Sequence, residues 1–209
     1  CTNIGKNTVT LTVTDINANV ATATATVTII DNTPPIVLTK DFTVELDEDG
    51  AASILAGDID NGSSDNCGTV SLSLSKTDFI CDDVGENIVT LTVTDNNGNI
   101  ASKTATVTVI DAIAPTVIVQ NITVELDETG TASITTADID NGSLDNCEIA
   151  TMTLNVTEFD CDAVGEKIVT LSVTDASMNV TMATATVTVI DAIAPTVIVQ
   201  NISIELDAN

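Results

Sequence analysis

The chain repeats itself every 80 residues, and no other feature restricts its fold as strongly. Cys1, Cys81 and Cys161 share that spacing, as do Cys67 and Cys147. So do Asp15, Asp95 and Asp175, and the series Asp31, Asp111 and Asp191. The segment ADIDNGSSDNC ending at Cys67 returns as ADIDNGSLDNC ending at Cys147, and VGENIVTLTVTD returns as VGEKIVTLSVTD, with no insertion between the copies. The organisation this predicts is the tail of one repeat (1–31), two complete repeats (32–111 and 112–191) and the start of another (192–209). Pro34, Pro35, Pro115 and Pro195 all fall just after the Asp that closes a repeat, where a missing N–H does least harm. With neither an initiator Met nor a signal-peptide pattern, the sequence reads as an internal piece of something longer.

Inside a repeat the apolar period is two. Val89, Leu91 and Val93 alternate with Thr90, Thr92 and Thr94, and Ala105, Val107 and Val109 alternate with Thr104, Thr106 and Thr108. Branched residues in strict alternation predict half-buried antiparallel strands. The intervening DNNGNIASK supplies a hairpin turn. TVIVQ, ITVELD, TASITT and MTLNVT read as further short strands. About seven strands in a repeat of this length predict an all-β fold of immunoglobulin-like antiparallel β-sandwiches. The short connection VIDAIAPTVIVQ predicts that successive sandwiches stack end to end as a semi-rigid rod. The core must be aliphatic, because the chain has no Tyr or Trp and three Phe.

FICDDVGENIVTLTVTDNNGNIASKTATVTVID, followed by AP, resembles the hyalin-repeat (HYR) type of immunoglobulin-like module. It is most similar to the HYR-like repeats of very large surface proteins of Bacteroidetes bacteria. The matching pieces are VG before the strand, VTLTVTDNNGN, the TVTV strand and the preceding DNC. The likeness extends over both full repeats and the partial ones. Around Ala105 and Ala185 the chain lacks the late-strand Cys that many such modules carry. The resemblance implies an extracellular, cell-surface adhesion or stalk role without enzymatic activity.

Charge and residue types narrow the functions further. Against 31 acidic residues the chain sets 5 Lys and no Arg, which leaves no basic patch for nucleic acid or an anionic membrane. No apolar run reaches the ~18–20 residues of a membrane span. Without His, a Ser or Cys nucleophile lacks its commonest base, so catalysis is not expected. No Lys recurs at one repeat position, which excludes a repeated Lys–Asn isopeptide bond.

Two Cys per repeat in a chain without His point to disulfides and an oxidising compartment. The simplest pairs are Cys67–Cys81 and Cys147–Cys161, with Cys1 joined to a residue outside the chain, because short loops close more readily. A staggered register also fits: Cys1–Cys67 and Cys81–Cys147 would staple neighbouring repeats and leave Cys161 open.

Asp58, Asp60 and Asp65 crowd several oxygen ligands into one Gly-containing loop, and Asp138, Asp140 and Asp145 form the matching set. Calcium wants six to eight oxygens, of which the loop offers about half. Asp47 and Glu48, Asp95 in the hairpin, and Asp111 and Asp191 at the junctions are further candidate ligands. Asp, Asn and Gly are also ordinary turn formers, so turn building is the competing role. The function expected is a calcium-stiffened stalk or filament segment of a secreted bacterial adhesin, its partners being the neighbouring repeats. The alternative is that the repeats themselves bind a glycan, a cell-surface protein or like filaments.

Overall fold

The computed structural model describes residues 1 and 3–206, so the last three positions of the partial repeat 192–209 lie outside the described residues. The chain divides into two compact units, Cys1–Ile113 and Ala114–Asn209. The first opens with a hairpin of β1 (Gly5–Thr14) and β2 (Val20–Ile29). It continues with β3 (Phe42–Glu45), β4 (Ala51–Ser53), a single helical turn α1 (Ala56–Ile59), β5 (Val70–Leu74), β6 (Asp78–Ile80), β7 (Gly85–Asp95) and β8 (Ile100–Ile110). The second unit repeats the latter series as β9 (Ile122–Glu125), β10 (Thr131–Ser133), α2 (Thr136–Ile139), β11 (Ile149–Leu154), β12 (Glu158–Asp160), β13 (Gly165–Asp175) and β14 (Val180–Ile190).

The fold is all-β, as the alternation predicts. In the first unit a four-stranded sheet has the order β3-β8-β7-β5, and β4 pairs with β6 in a second, two-stranded layer. The second unit has the same two layers, β11-β13-β14-β9 and β10-β12. Val89, Leu91 and Val93 of β7 and Ala105, Val107 and Val109 of β8 are buried, while the intervening Thr face outward. Phe159 of β12, with Ile134 and Ile139, closes over Val169, Leu171 and Val173 of β13.

Three expectations need correction. The sandwiches are not purely antiparallel, because β3 pairs parallel with β8 and β9 parallel with β14. A parallel partner requires a long crossover, and here the whole repeat supplies it. TVIVQ forms no strand, only the isolated bridges Thr116–Leu144 and Val119–Asp140. TASITT is cut short at Ser133, since Thr136 already begins α2.

The hairpin β1–β2 is the same structure with one face uncovered. Leu11 holds the repeat position of Leu91 and Leu171, yet it is 67% exposed where they are fully buried. Leu171→Ala is therefore expected to destabilise its unit by about 2–5 kcal/mol. Leu11→Ala should stay within about 0.5 kcal/mol, both read by urea denaturation.

Candidate functional site

In the first unit the chain leaves the hairpin at Asp31, crosses Pro34 and Pro35, and enters the complete repeat. Asp31, Asp65 and Asp95 meet at that crossing, each offering a carboxylate oxygen within 4.8 Å of the others. Three separate pieces of local structure deliver them.

Asp95 ends β7 and organises the β7–β8 turn. Its Oδ1 accepts the amides of Asn97 and Asn99, each at 2.8 Å, and its Oδ2 accepts the Asn99 side-chain amide at 2.7 Å. This network holds Gly98 at φ +89°, a left-handed conformation that glycine adopts freely. The same turn forces Ala18 to +66° and Met178 to +74°. Asp31 follows β2. Its Oδ1 accepts the Thr33 amide at 3.0 Å, and its Oδ2 accepts the Asn97 side chain at 3.0 Å. Asn99 also donates to the Asp31 backbone carbonyl at 3.1 Å. The β7–β8 turn thus grips the connection arriving from the hairpin. Asp65 lies in the loop before β5. Its Oδ2 accepts the Cys67 amide at 2.7 Å, whereas its Oδ1 is buried with no hydrogen-bond partner. Asp145, 80 residues on, has the same buried, unpartnered Oδ1.

A disulfide joins Cys1 to Cys67, with their Cα atoms 5.0 Å apart. It ties the start of the hairpin to the loop carrying Asp65. A hollow of about 390 Å³ adjoins it, lined by Cys1, Ile29, Asp31, Asn66 and Cys67 among others. The local pairs Cys67–Cys81 and Cys147–Cys161 are therefore not formed: Cys67 is already bonded, and Cys161 is a free, exposed thiol. Cys1 has its partner inside the chain. The reason is geometric. From Cys67, β5 carries the chain roughly 16 Å along the four-stranded sheet. β6 then passes to the other layer and leaves the Cys81 Sγ 3.6 Å from the Gly50 carbonyl oxygen.

The loop site expected from Asp58, Asp60 and Asp65 is not assembled. Asp58 Oδ2 accepts the Leu55 amide at 2.7 Å and caps α1. Asp60 accepts the amides of Gly62 and Ser63. Asp138 and Asp140 do the same work at Thr135, Gly142 and Ser143. These are turn-building roles. Asp111 is buried and accepts the Ile113 amide, and Asp191 is exposed and accepts that of Ile193. Sequence reasoning did not name Asp31 as a ligand or Asn97 and Asn99 as its holders. The spacing of Asp31 from Asp111, and the pattern Asp95-x-Asn97-x-Asn99, were the available signals.

No family model matches the chain, and no curated protein matches it. Solved structures do overlap it loosely. A human mucin-like protocadherin EC1-2 structure is 15% identical, over 76% of this chain and 98% of that one, with a TM-score of 0.41. Mouse cadherin-23 EC22-24 is 16% identical, over 90% of this chain and 74% of that one, with a TM-score of 0.37. The protocadherin gamma B4 extracellular domain is 18% identical with a TM-score of 0.37, and the chain spans 37% of its length. Likenesses of this depth carry no argument about the chain. Among the described residues no helix is long and apolar enough to cross a membrane.

Burial pushes the Asp95 carboxyl up, but the bonds from Asn99, Asn97 and Gly98 outweigh it and hold it below the ordinary value. A depressed carboxyl stabilises the fold above its unfolded pKa, and that stability is lost as pH falls through the folded one. The melting temperature should therefore drop as pH falls below the ordinary carboxylate range. Asp95→Asn should start lower and fall less steeply over the same acid window, read by thermal unfolding in a pH series.

Proposed function

We propose that the chain is a segment of an extracellular stalk, built of tandem 80-residue immunoglobulin-like modules with boundaries at 31/32, 111/112 and 191/192. The observation that carries this reading is the Cys1–Cys67 bond, which ties a hairpin of one repeat to a loop of the next beside three converging carboxylates. A covalent tie at a module boundary serves a mechanical role, since it limits how far a junction opens under load. It also fits an exported protein, because such bonds persist in oxidising compartments. The HYR-like sequence pattern supports the same assignment, to a surface adhesin whose ligand-binding part lies elsewhere.

Calcium completes the proposal. Three carboxylates so close together repel one another, and the chain brings no Lys into the group. A hard divalent cation would neutralise them and give the buried Asp65 Oδ1 its missing partner. Asn side-chain and backbone oxygens, with water, would fill the remaining positions. By the 80-residue period Asp111 and Asp191 hold the position of Asp31, Asp145 that of Asp65 and Asp175 that of Asp95, while Cys81 and Cys161 hold that of Cys1 and Cys147 that of Cys67.

Single-molecule pulling of the oxidised chain tests both parts. Calcium should raise the unfolding force relative to excess chelator at fixed ionic strength, magnesium should not, and Asp65→Asn should abolish the difference. Cys1→Ser/Cys67→Ser should release about 220 Å of extra extension, at ~3.4 Å per freed residue. Equal forces in calcium and chelator would remove the cation and leave the stalk. Unchanged extension would remove the boundary tie.

A further inference from the structure

The chain contains three Asn-Gly bonds, Asn61–Gly62, Asn97–Gly98 and Asn141–Gly142, and all three asparagines are exposed. In such a pair the glycine nitrogen can attack the preceding side-chain amide, because no Cβ flanks the nucleophile. Exposure and sequence are alike at the three places, but the hydrogen bonds are not.

Asn97 donates its side-chain amide to Asp31 Oδ2 at 3.0 Å, and the Gly98 amide donates to the Asp95 backbone carbonyl at 3.3 Å. The first bond fixes the group that must be attacked. The second sets the nucleophile's proton against an oxygen too weakly basic to take it. Asn61 and Asn141 make no side-chain hydrogen bond among the described residues. Their glycine amides donate to carboxylates instead, Gly62 to Asp60 Oδ2 at 3.2 Å and Gly142 to Asp140 Oδ2 at 3.3 Å. A carboxylate so placed is a base that can accept the proton. A Cβ built on either glycine meets nothing within 4 Å, so a ring has room to close there.

We infer that Asn61 and Asn141 are sites of spontaneous covalent modification, and that Asn97 is protected by its grip on Asp31. The Gly62 nitrogen bonds to Asn61 Cγ and the Cγ–Nδ2 bond breaks. The side-chain nitrogen leaves as ammonia, taking the proton that Asp60 removes from the Gly62 amide. Water then opens the succinimide at either carbonyl, leaving an aspartyl or isoaspartyl residue with one new negative charge. Asp140, Asn141 and Gly142 react in the same way. The isoaspartyl product adds a methylene to the main chain at a seam of the repeat. Beside it the Asn61 amide donates to the Leu38 carbonyl at 2.9 Å, the Lys40 amide to that of Ile59 at 2.9 Å, and Ile36 and Ser64 exchange amide bonds at 2.8 and 3.0 Å. Asn141 holds the same place against Ile118, with Gln120 bonded to Ile139. Conversion therefore loosens the loop of each complete repeat from the segment that precedes β3 or β9. This modification goes beyond the stalk reading and does not depend on it.

The test is incubation of the full oxidised chain in warm, mildly alkaline buffer, followed by site-resolved peptide mass spectrometry and isoaspartyl methyltransferase labelling. Asn61 and Asn141 should convert at similar rates, and Asn97 about tenfold more slowly, since its bond to a charged acceptor must break first. In concentrated urea, where those bonds are gone, the three should react alike. Asp31→Ala releases the Asn97 amide and should speed its conversion in the folded chain. Should that variant lose its fold, the comparison of folded and urea-unfolded chain tests the same point. The melting temperature should fall as conversion proceeds, and that of N61Q/N141Q should hold over the same incubation. Asn97 reacting as fast as Asn61 in the folded chain would overturn the inference, and so would Asn61 and Asn141 converting only in urea. A rate difference that persists in urea would also overturn it, because the selectivity would then belong to neighbouring residues and not to the fold.

Discussion

The bond between Cys1 and Cys67 is the constraint that ties the β1–β2 hairpin to the loop carrying Asp65. The disulfide joins the β1–β2 hairpin to the repeat that follows at one point, and the grip of Asn97 and Asn99 on Asp31 joins it at another. In the complete repeats the equivalent hairpins β7–β8 and β13–β14 are held by their cores. Order at the crossing therefore comes from polar and covalent chemistry, and order within a repeat from aliphatic packing.

The three carboxylates at the crossing follow from that division. Asp95 is where it is because it builds the β7–β8 turn, and Asp31 because that turn grips it. Asp65 is brought in by a loop that the disulfide anchors two residues away. Asp31 and Asp95 have structural duties of their own, while Asp65 keeps one buried oxygen unused. A cation bound there would link the hairpin, the loop and the turn through one centre. The disulfide and the cation would then act on the same few residues, each making the other's geometry cheaper to hold.

Much of this was legible in the residues. The alternation of Val89, Leu91 and Val93 with Thr specified both the strand and its buried face, because a period of two has only one packing solution when one side is wet. Asp95 was recognisable as a turn former from its neighbours. What stayed hidden was contact between segments far apart in sequence. Nothing local in Phe42–Glu45 announces a parallel partner at Val107–Ile110. Likewise, Asp58 and Asp60 look like ligands until the cap of α1 and the following turn claim their oxygens. The cysteine pairing misled for a physical reason: loop-closure entropy describes the unfolded chain and favours Cys67 with Cys81, whereas the folded sheets decide which sulfurs meet.

The most direct measurement is disulfide mapping of the purified, non-reduced chain by mass spectrometry, after cleavage on both sides of Cys67. A peptide containing Cys1 covalently joined to one containing Cys67, with Cys161 alkylated as a free thiol, is the predicted result. A peptide joining Cys67 to Cys81 would contradict the account, since each repeat would then close on itself and leave no covalent tie across the boundary.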